Sequence, residues 1–176
     1  DGEVRAGEID SNGAISLGSE TEWADDTDAI VFFDVAFDLE GSAGEESFVI
    51  VWRKEDSSSD NHHAFSIVGT VSGTTISLGT AAEIGTNDLA GHYMSVTDMA
   101  GDNRVLFCYG IQTSDASQRQ GGGCKAGTVD GSAKTVTWGS QSCFTSGCGN
   151  DADPSVKWND VVDVGNDQFV LIWHDV

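Results

Sequence analysis

Residues 69–80 read Gly69-Thr-Val-Ser-Gly-Thr-Thr-Ile-Ser-Leu-Gly-Thr80, and the chain carries versions of this segment three times. Its second half recurs as Ile15-Ser-Leu-Gly-Ser19 and as Val136-Thr-Trp-Gly-Ser140, at intervals of about 60 residues. A fixed period that is longer than one hairpin indicates a repeated supersecondary unit. Most of the sequence is therefore expected to serve architecture, and little of it requires a catalytic explanation.

The repeated segment predicts one kind of hairpin, here named the glycine-turn hairpin. After each turn an apolar residue alternates with Ser or Thr, as in Ile76-Ser-Leu78, which turns one face of the strand inward. The turns contain Gly, Asn and Asp, which accept the positive φ of tight hairpins. We expect these hairpins at 4–23, 64–84 and 125–144, with turns at Asp10-Ser-Asn-Gly13, Ser72-Gly73 and Asp130-Gly131.

A second kind of hairpin, the acidic-turn hairpin, is predicted at 29–53, 92–109 and 155–173. Its first strand alternates, with Val31, Phe33, Val35 and Phe37 on one face. Its second strand is a continuous apolar run, which is typical of a strand covered on both faces. These runs are Phe48-Val-Ile-Val-Trp52, Val105-Leu-Phe-Cys-Tyr109 and Phe169-Val-Leu-Ile-Trp173.

No window of the sequence has a helical period, so the fold class is predicted to be all-β. One hairpin of each kind gives a four-stranded antiparallel unit, and three units fill a single domain over 1–176. The units are assigned to 24–84, to 85–144, and to 145–176 together with 1–23. We expect a propeller-like or prism-like arrangement. A β-trefoil is a further three-unit design, but the long apolar strands favour stacked sheets.

The order of the hairpins leaves half a unit at each terminus, because the chain starts with a glycine-turn hairpin and finishes with an acidic-turn hairpin. Each half would leave an open sheet edge, which proteins rarely tolerate. We predict that the N-terminal hairpin completes the C-terminal sheet, either of the same chain in a closed ring or of a neighbouring chain. A head-to-tail contact that does not close builds a filament. The predicted assembly residues are Val4, Ile9, Ile15, Leu17, Trp23, Trp158, Phe169, Leu171 and Trp173.

The pattern Gly-Thr-Val-Ser-Gly-Thr-x-Ile-Ser-Leu-Gly-Thr resembles a repeat of long secreted or surface proteins from environmental bacteria, algae and their viruses. Residues 48–80 carry the resemblance, 105–140 carry it less closely, and 7–19 carry part of it. It implies propeller-like four-stranded sheets in an extracellular setting, and it transfers no catalytic residue. A closed propeller usually has four or more such units, so three units favour completion between chains.

The net charge of −21, from 29 acidic and 8 basic residues, argues against nucleic acid and against anionic membrane surfaces as partners. No apolar stretch approaches the length needed to span a bilayer. No cofactor is expected apart from Ca²⁺, for which carboxylates are suitable ligands. Ordinary turn formation is the competing interpretation of the acidic turns. The candidate calcium ligands are Asp98, Asp102, Asp163 and Asp167.

The four cysteines are predicted to form the disulfides Cys108–Cys124 and Cys143–Cys148, one of three possible pairings. A four-cysteine zinc site is the rival interpretation, but no CxxC pair supports it. Oxidised cysteines and an acidic surface favour an extracellular location. Removal of a signal peptide would explain a sequence that opens at Asp1.

Other candidate sites have a simple structural alternative. The pair His62-His63 suits a transition metal, but a solvated loop is the favoured interpretation. Trp23 and Trp158 are the tryptophans that packing explains least, so they are the candidates for stacking on sugar rings. No Gly-x-Ser-x-Gly segment or phosphate-binding loop is present, and we do not expect an enzyme.

The sequence therefore predicts a structural subunit of an extracellular filament or surface appendage whose partners are copies of itself. The alternative is a secreted carbohydrate-binding, lectin-like repeat domain with glycans as partners.

Overall fold

A computed structural model of the chain describes residues 2–24, 29–40, 46–55, 62–84, 90–99, 103–112, 119–145 and 156–175. Every regular element within these ranges is a β-strand, and every strand pair is antiparallel, which confirms the all-β prediction. The strands are β1 (Gly2–Val4), β2 (Gly7–Ile9), β3 (Ile15–Leu17), β4 (Thr21–Ala24), β5 (Ala29–Glu40), β6 (Glu46–Glu55), β7 (His62–Ser72), β8 (Thr75–Leu78), β9 (Ala82–Glu83), β10 (Ala90–Met99), β11 (Arg104–Gln112), β12 (Arg119–Asp130), β13 (Thr135–Trp138), β14 (Ser142–Cys143), β15 (Val156–Gly165) and β16 (Gln168–Asp175).

Two complete sheets share one topology. Sheet 1 has the order β5-β6-β7-β8 with β9 also on β7, and sheet 2 has the order β10-β11-β12-β13 with β14 also on β12. Each therefore has five strands, where four were predicted. The return strand of the glycine-turn hairpin is split in two, because the chain leaves the sheet edge after Gly79 in sheet 1 and after Gly139 in sheet 2.

The strands at the N-terminus reproduce the second half of such a sheet. Strand β1 pairs with β4, and β2 pairs with β3; we call these four strands the N-terminal half-sheet. Gly7 lies opposite Leu17 as Gly69 lies opposite Leu78 in sheet 1. The peptide N–H of Gly18 donates to the Ala6 carbonyl, and the equivalent bond joins Gly79 to Val68 and Gly139 to Ala126. The sequence repeat is thus also a repeat of backbone hydrogen bonds.

The strands at the C-terminus reproduce the first half. Strands β15 and β16 pair only with each other among the described residues, and we call them the C-terminal half-sheet. They correspond to β5–β6 in sheet 1 and to β10–β11 in sheet 2. The described strands of the two half-sheets do not pair with each other, so this structure does not contain the ring closed within one chain. Completion between chains stays a prediction.

The glycine turns follow the predicted chemistry in two of three cases. Gly13 and Gly73 have φ values of 80° and 57°. In the third turn the positive φ of 54° falls on Lys134 instead of Gly131, because the turn runs on to Lys134 before β13 begins. The Asp130 carboxylate stabilises this longer turn by accepting a hydrogen bond from Ala133 N at 2.8 Å.

The first strands contain a bulge that breaks the predicted alternation. In β5 the register shifts between Val31 and Phe33, and Phe32 has a φ of 53°. In β10 the shift precedes Met94, and Tyr93 has a φ of 67°. The rings of Phe32 and Tyr93 lie 5.2 Å apart between centroids. The two bulges therefore meet where sheet 1 packs on sheet 2.

The sheets pack face to face in chain order, so each has a proximal face toward the N-terminal half-sheet and a distal face away from it. The distal face of sheet 1, including Val49 and Val51, meets the proximal face of sheet 2, including Val105 and Phe107, in the largest core cluster. Strands β6 and β11 are covered on both faces, as predicted. Strand β16 differs within the single chain, since Ile172 on its distal face is 66% exposed.

The disulfide Cys108–Cys124 joins two residues that lie directly opposite each other in β11 and β12. This prediction is confirmed, and it removes the four-cysteine zinc site. Cys143 is also disulfide-bonded, while its predicted partner Cys148 lies outside the described residues.

Candidate assembly surfaces

Trp23 fixes the N-terminal half-sheet to sheet 1. It is only 8% exposed, and its ring contacts Trp52 edge to face at a centroid distance of 4.8 Å. In the next layer the equivalent residues Ile84 and Tyr109 belong to the same core cluster, and in the last layer the ring centroids of Phe144 and Trp173 lie 5.4 Å apart. The equivalent residues Trp23, Ile84 and Phe144 thus lie at three successive contacts between layers.

Glycines allow the turns of one layer to approach the preceding layer. A Cβ at Gly18 would overlap the carbonyl oxygen of Thr74 in the sheet 1 turn, and a Cβ at Gly79 would overlap that of Lys134 in the sheet 2 turn. Gly139 is the third member of this series. The atom nearest to its Cβ position is the Ala126 oxygen of its own sheet, at 3.3 Å, so no turn covers Gly139 within the described residues.

A polar contact also recurs between layers. The Asp34 carboxylate in β5 accepts a hydrogen bond from Val96 N in β10 at 2.8 Å. One layer further on, the Ser95 hydroxyl accepts from Val161 N at 3.3 Å and donates to Asp160 Oδ1 at 2.9 Å. Asp34, Ser95 and Asp160 are equivalent positions in β5, β10 and β15. Asp160 belongs to the last layer that the structure describes, and none of the described strands packs on its distal side.

The first open apolar patch lies on the proximal face of the N-terminal half-sheet. It consists of Ile9, Ile15 and Leu17, and Ile9 is 71% exposed. The equivalent residues in sheet 1, such as Ile76 and Leu78, pack against the core cluster beneath them. The repeat therefore places core-type residues at positions that no layer covers within the described part of the chain.

The second open patch lies on the proximal face of β5. The N-terminal half-sheet contains no strand equivalent to β5 or β6, so it covers only part of sheet 1. Phe33, Val35 and Phe37 remain exposed, Phe33 by 70%. The equivalent residues of β10, Met94 and Val96, are buried beneath sheet 1.

The third open patch lies on the C-terminal half-sheet. Its proximal face packs on sheet 2 through Val161 and Leu171. No described residue range covers its distal face, and Phe169 and Trp173 on the outer strand β16 are also exposed. The exposed apolar residues of this patch are Val162, Val164, Phe169, Val170, Ile172 and Trp173.

The predicted assembly residues fall into two groups in the structure. Val4 and Trp23 pack inside the chain, in the cluster that joins the N-terminal half-sheet to sheet 1. Leu171 is partly buried against sheet 2, and for Trp158 the structure describes only the backbone, which lies in β15. Ile9, Ile15, Leu17, Phe169 and Trp173 lie in the open patches.

Several residues of the open patches were not predicted. Val170 and Ile172 belong to an apolar run that was predicted to be covered on both faces, the β5 residues were predicted only to share one face, and Val162 and Val164 were not assigned. Comparison of the repeats identifies most of them: Phe33, Val35, Val170 and Ile172 are equivalent to the buried residues Met94, Val96, Val49 and Val51, but no layer among the described residues covers them. Gly139 and Asp160 are identified by the same comparison.

The predicted calcium ligands do not come together as a site in the described residues. Asp167 forms an ion pair with Arg104, and Asp163 Oδ1 accepts from Gly165 N at 3.1 Å within its own turn. Asp98 lies in β10, and Asp102 lies outside the described residues. No group of three or more His, Cys, Asp or Glu side chains there is placed to hold a metal ion.

The predictions for the histidines and for Trp23 require correction. His62 and His63 begin strand β7 instead of forming a loop, because they pair with Glu55 and Lys54 of β6. His63 Nδ1 lies 2.7 Å from Glu83 Oε1 of the adjacent β9. Trp23 is buried on Trp52, so its ring does not offer a free face for a sugar.

Comparison of the chain with models of protein families, with curated proteins and with solved structures gave no match. The resemblance to repeats of secreted and surface proteins therefore stays a prediction. A search of the described residues for an apolar helix of membrane-spanning length found none.

Proposed function

We propose that the chain is a structural subunit of an extracellular filament or surface appendage, in which copies join head to tail by completing one sheet between them. The C-terminal half-sheet of one copy supplies the first two strands of the shared sheet. The N-terminal half-sheet of the next copy supplies the remaining strands. The resulting sheet has the topology of sheets 1 and 2.

The observation that carries this proposal is that one joint would cover all three open patches. In the shared sheet, the distal face of β15–β16 would pack on the β5 patch of the next copy. The N-terminal patch of that copy would pack on the outer strands of sheet 2 in the first copy. Large exposed apolar patches mark interaction sites in soluble proteins, and here the complementary surfaces belong to the same chain.

The edges of the half-sheets support the same arrangement. Among the described residues, β16 has β15 as its only neighbour, whereas the equivalent strands β6 and β11 are paired on both sides. An unpaired strand edge is a template for pairing with another chain. Pairing β16 with β1 and β2 of a second copy satisfies both edges, and a heterologous contact of this kind propagates when it does not close.

The extracellular setting is supported by cysteine chemistry. Both Cys108 and Cys143 are disulfide-bonded, and disulfides persist mainly in oxidising compartments. A high negative charge is compatible with a surface that contacts neither nucleic acid nor anionic lipid.

Sedimentation velocity and negative-stain electron microscopy of the purified chain test the proposal. We expect species whose size increases with protein concentration, and elongated particles in the images. A monomer-sized species at all concentrations, up to the millimolar range, would overturn it.

A matched pair of variants separates the joint from general effects of charge. Ile172→Lys places a cation in the centre of the C-terminal patch and should abolish assembly. Thr80→Lys adds the same charge at an exposed position between β8 and β9, outside the three patches, and should leave assembly intact.

A further inference from the structure

We infer that the joint has one register, in which β16 of one copy runs antiparallel to β1 and β2 of the next, with Ile172 opposite Val4 and Phe169 opposite Gly7. This inference rests on the proposed head-to-tail assembly and specifies its geometry. In this register the last strands of one copy and the first strands of the next form a single continuous sheet.

The register follows from the two complete sheets. Strand β6 pairs with β7 so that Phe48 lies opposite Gly69 and Val51 lies opposite Ser66. Strand β11 pairs with β12 so that Val105 lies opposite Gly127 and Cys108 lies opposite Cys124.

The same positions exist in the half-sheets. Phe169 occupies the place of Phe48 and Val105 in the apolar runs, and Gly7 occupies the place of Gly69 and Gly127 in the backbone pattern. Ile172 and Val4 then correspond to Cys108 and Cys124. A slip by one residue would turn every side chain of β16 to the wrong face.

The side chains at the joint fit this register. In sheet 1 the Phe48 ring covers Gly69 so closely that a Cβ on Gly69 would overlap it. Phe169 is exposed and in the inferred register faces Gly7, the corresponding glycine. An aromatic ring over a cross-strand glycine fills the space that the missing side chain leaves.

The polar contact between layers extends across the joint in the same way. The next layer after β15 would be β5 of the following copy, so Asp160 would face Val35 N as Asp34 faces Val96 N within the chain. Val35 N already donates to its own Asp34 at 2.9 Å, as Val161 N donates to its own Asp160 at 2.9 Å while also bonding Ser95. The inferred contact thus repeats a geometry that is present inside the chain.

Cysteine cross-linking in the full-length chain tests the register. The double variant Val4→Cys and Ile172→Cys places a thiol pair at the positions equivalent to Cys108–Cys124, which are directly opposite residues. Under mild oxidation we expect a ladder of disulfide-linked multimers on a non-reducing gel. Peptide mapping should find the new disulfide between positions 4 and 172, with the native disulfides unchanged.

Two controls determine whether the pairing is specific. A mixture of the two single variants should give dimers only, since each copy then carries one reactive end. The double variant Ala6→Cys and Ile172→Cys shifts the pair by two residues on the same face. It should cross-link about tenfold less, because a disulfide needs Cβ atoms about 4 Å apart.

Each outcome bears on either the register or the filament. A link formed within one chain, or stronger linking through position 6 than through position 4, would overturn the register. Assembled particles that never link through positions 4 and 172 would overturn the register and leave assembly standing. Efficient links that stop at a small closed ring would support the register and overturn the filament.

Discussion

Asp10 shapes the turn of the N-terminal half-sheet through its side chain. Its Oδ1 accepts hydrogen bonds from the backbone N–H groups of Asn12 and Ala14, both at 2.8 Å. The Ala14 N–H is the main cause, followed by the Asn12 N–H, of a pKa that lies below the usual value of an aspartate. Hydrogen bonds to the ionised form favour that form.

The lowered pKa of Asp10 predicts the sign of a pH effect. A carboxyl group with a lower pKa in the folded state stabilises that state above the unfolded pKa of about 4, and this stabilisation is lost as the pH falls through the folded value. We expect Asp10→Asn to unfold at lower denaturant concentration than the wild type near neutral pH. The difference should vanish toward pH 2. An NMR titration of the Asp10 carboxyl carbon that gives an ordinary pKa would contradict this account.

Gly79 and Gly139 are equivalent residues with different surroundings, so the same substitution should have different effects. Gly79→Ala places a Cβ against the Lys134 carbonyl, and overpacking of this kind costs about 1–3 kcal/mol of folding free energy. Gly139→Ala should change the free energy of unfolding by about 0.5 kcal/mol or less, because none of the turns that the structure describes covers it. In the proposed filament, however, the turn at Gly13 of the next copy would pack there, and Gly139→Ala should weaken assembly.

Chemical denaturation and sedimentation velocity on the two glycine variants separate these effects. Equal losses of stability in both variants would show that the two glycines have the same surroundings in the folded chain. Normal assembly of Gly139→Ala would show that no turn of a neighbouring copy approaches this position.

At the scale of elements, the Cys108–Cys124 pair of sheet 2 and the Val51–Ser66 pair of sheet 1 occupy equivalent cross-strand positions but differ in their bonding. Cys108 and Cys124 are covalently joined, whereas the equivalent Val51 and Ser66 face each other without a bond. Replacing the cysteines by Cys108→Val and Cys124→Ser transfers the sheet 1 solution to sheet 2. We expect a loss of about 3 kcal/mol in the free energy of unfolding, the usual contribution of a disulfide closing a loop of this size.

Far-UV circular dichroism should show that the double variant keeps its β-sheet signal while its urea midpoint falls. Reduction of the wild type is a poorer test, since it would also open the disulfide of Cys143. An unchanged midpoint would mean that the bond contributes nothing beyond the packing that Val51 and Ser66 already provide.

The strands and turns could be predicted where the turn-forming residues agree with the sequence repeat of about 60 residues. Turn residues and alternating apolar residues indicated every hairpin, and the matching hydrogen bonds at Gly18, Gly79 and Gly139 follow the sequence period. The burial of Trp23 was not predicted. It becomes evident only when Trp23, Ile84 and Phe144 are aligned as equivalent residues of the three repeats. Exposure of β16 was also missed, since an apolar run does not reveal whether a second layer covers it.

At the scale of the whole molecule, electrostatic repulsion between copies opposes the attraction at the proposed joint. Each copy carries a charge of −21, so copies repel one another at low ionic strength. The open patches and strand edges are apolar or hydrogen-bonding, and salt does not screen such contacts. The Debye length falls from about 10 Å at 0.1 M to about 3 Å at 1 M salt. We therefore expect assembly to begin at lower protein concentration as NaCl is raised, as followed by light scattering.

Two comparisons distinguish general screening from other causes of this salt effect. CaCl₂ and NaCl at equal ionic strength should act alike if screening is the cause, whereas a specific requirement for Ca²⁺ would make CaCl₂ far more effective. Ile172→Lys reduces the negative charge, so a process limited only by repulsion would proceed more easily in that variant. Because the lysine lies in the centre of the inferred joint, we expect Ile172→Lys to remain monomeric at every salt concentration, and its assembly at high salt would exclude β16 as the joining strand.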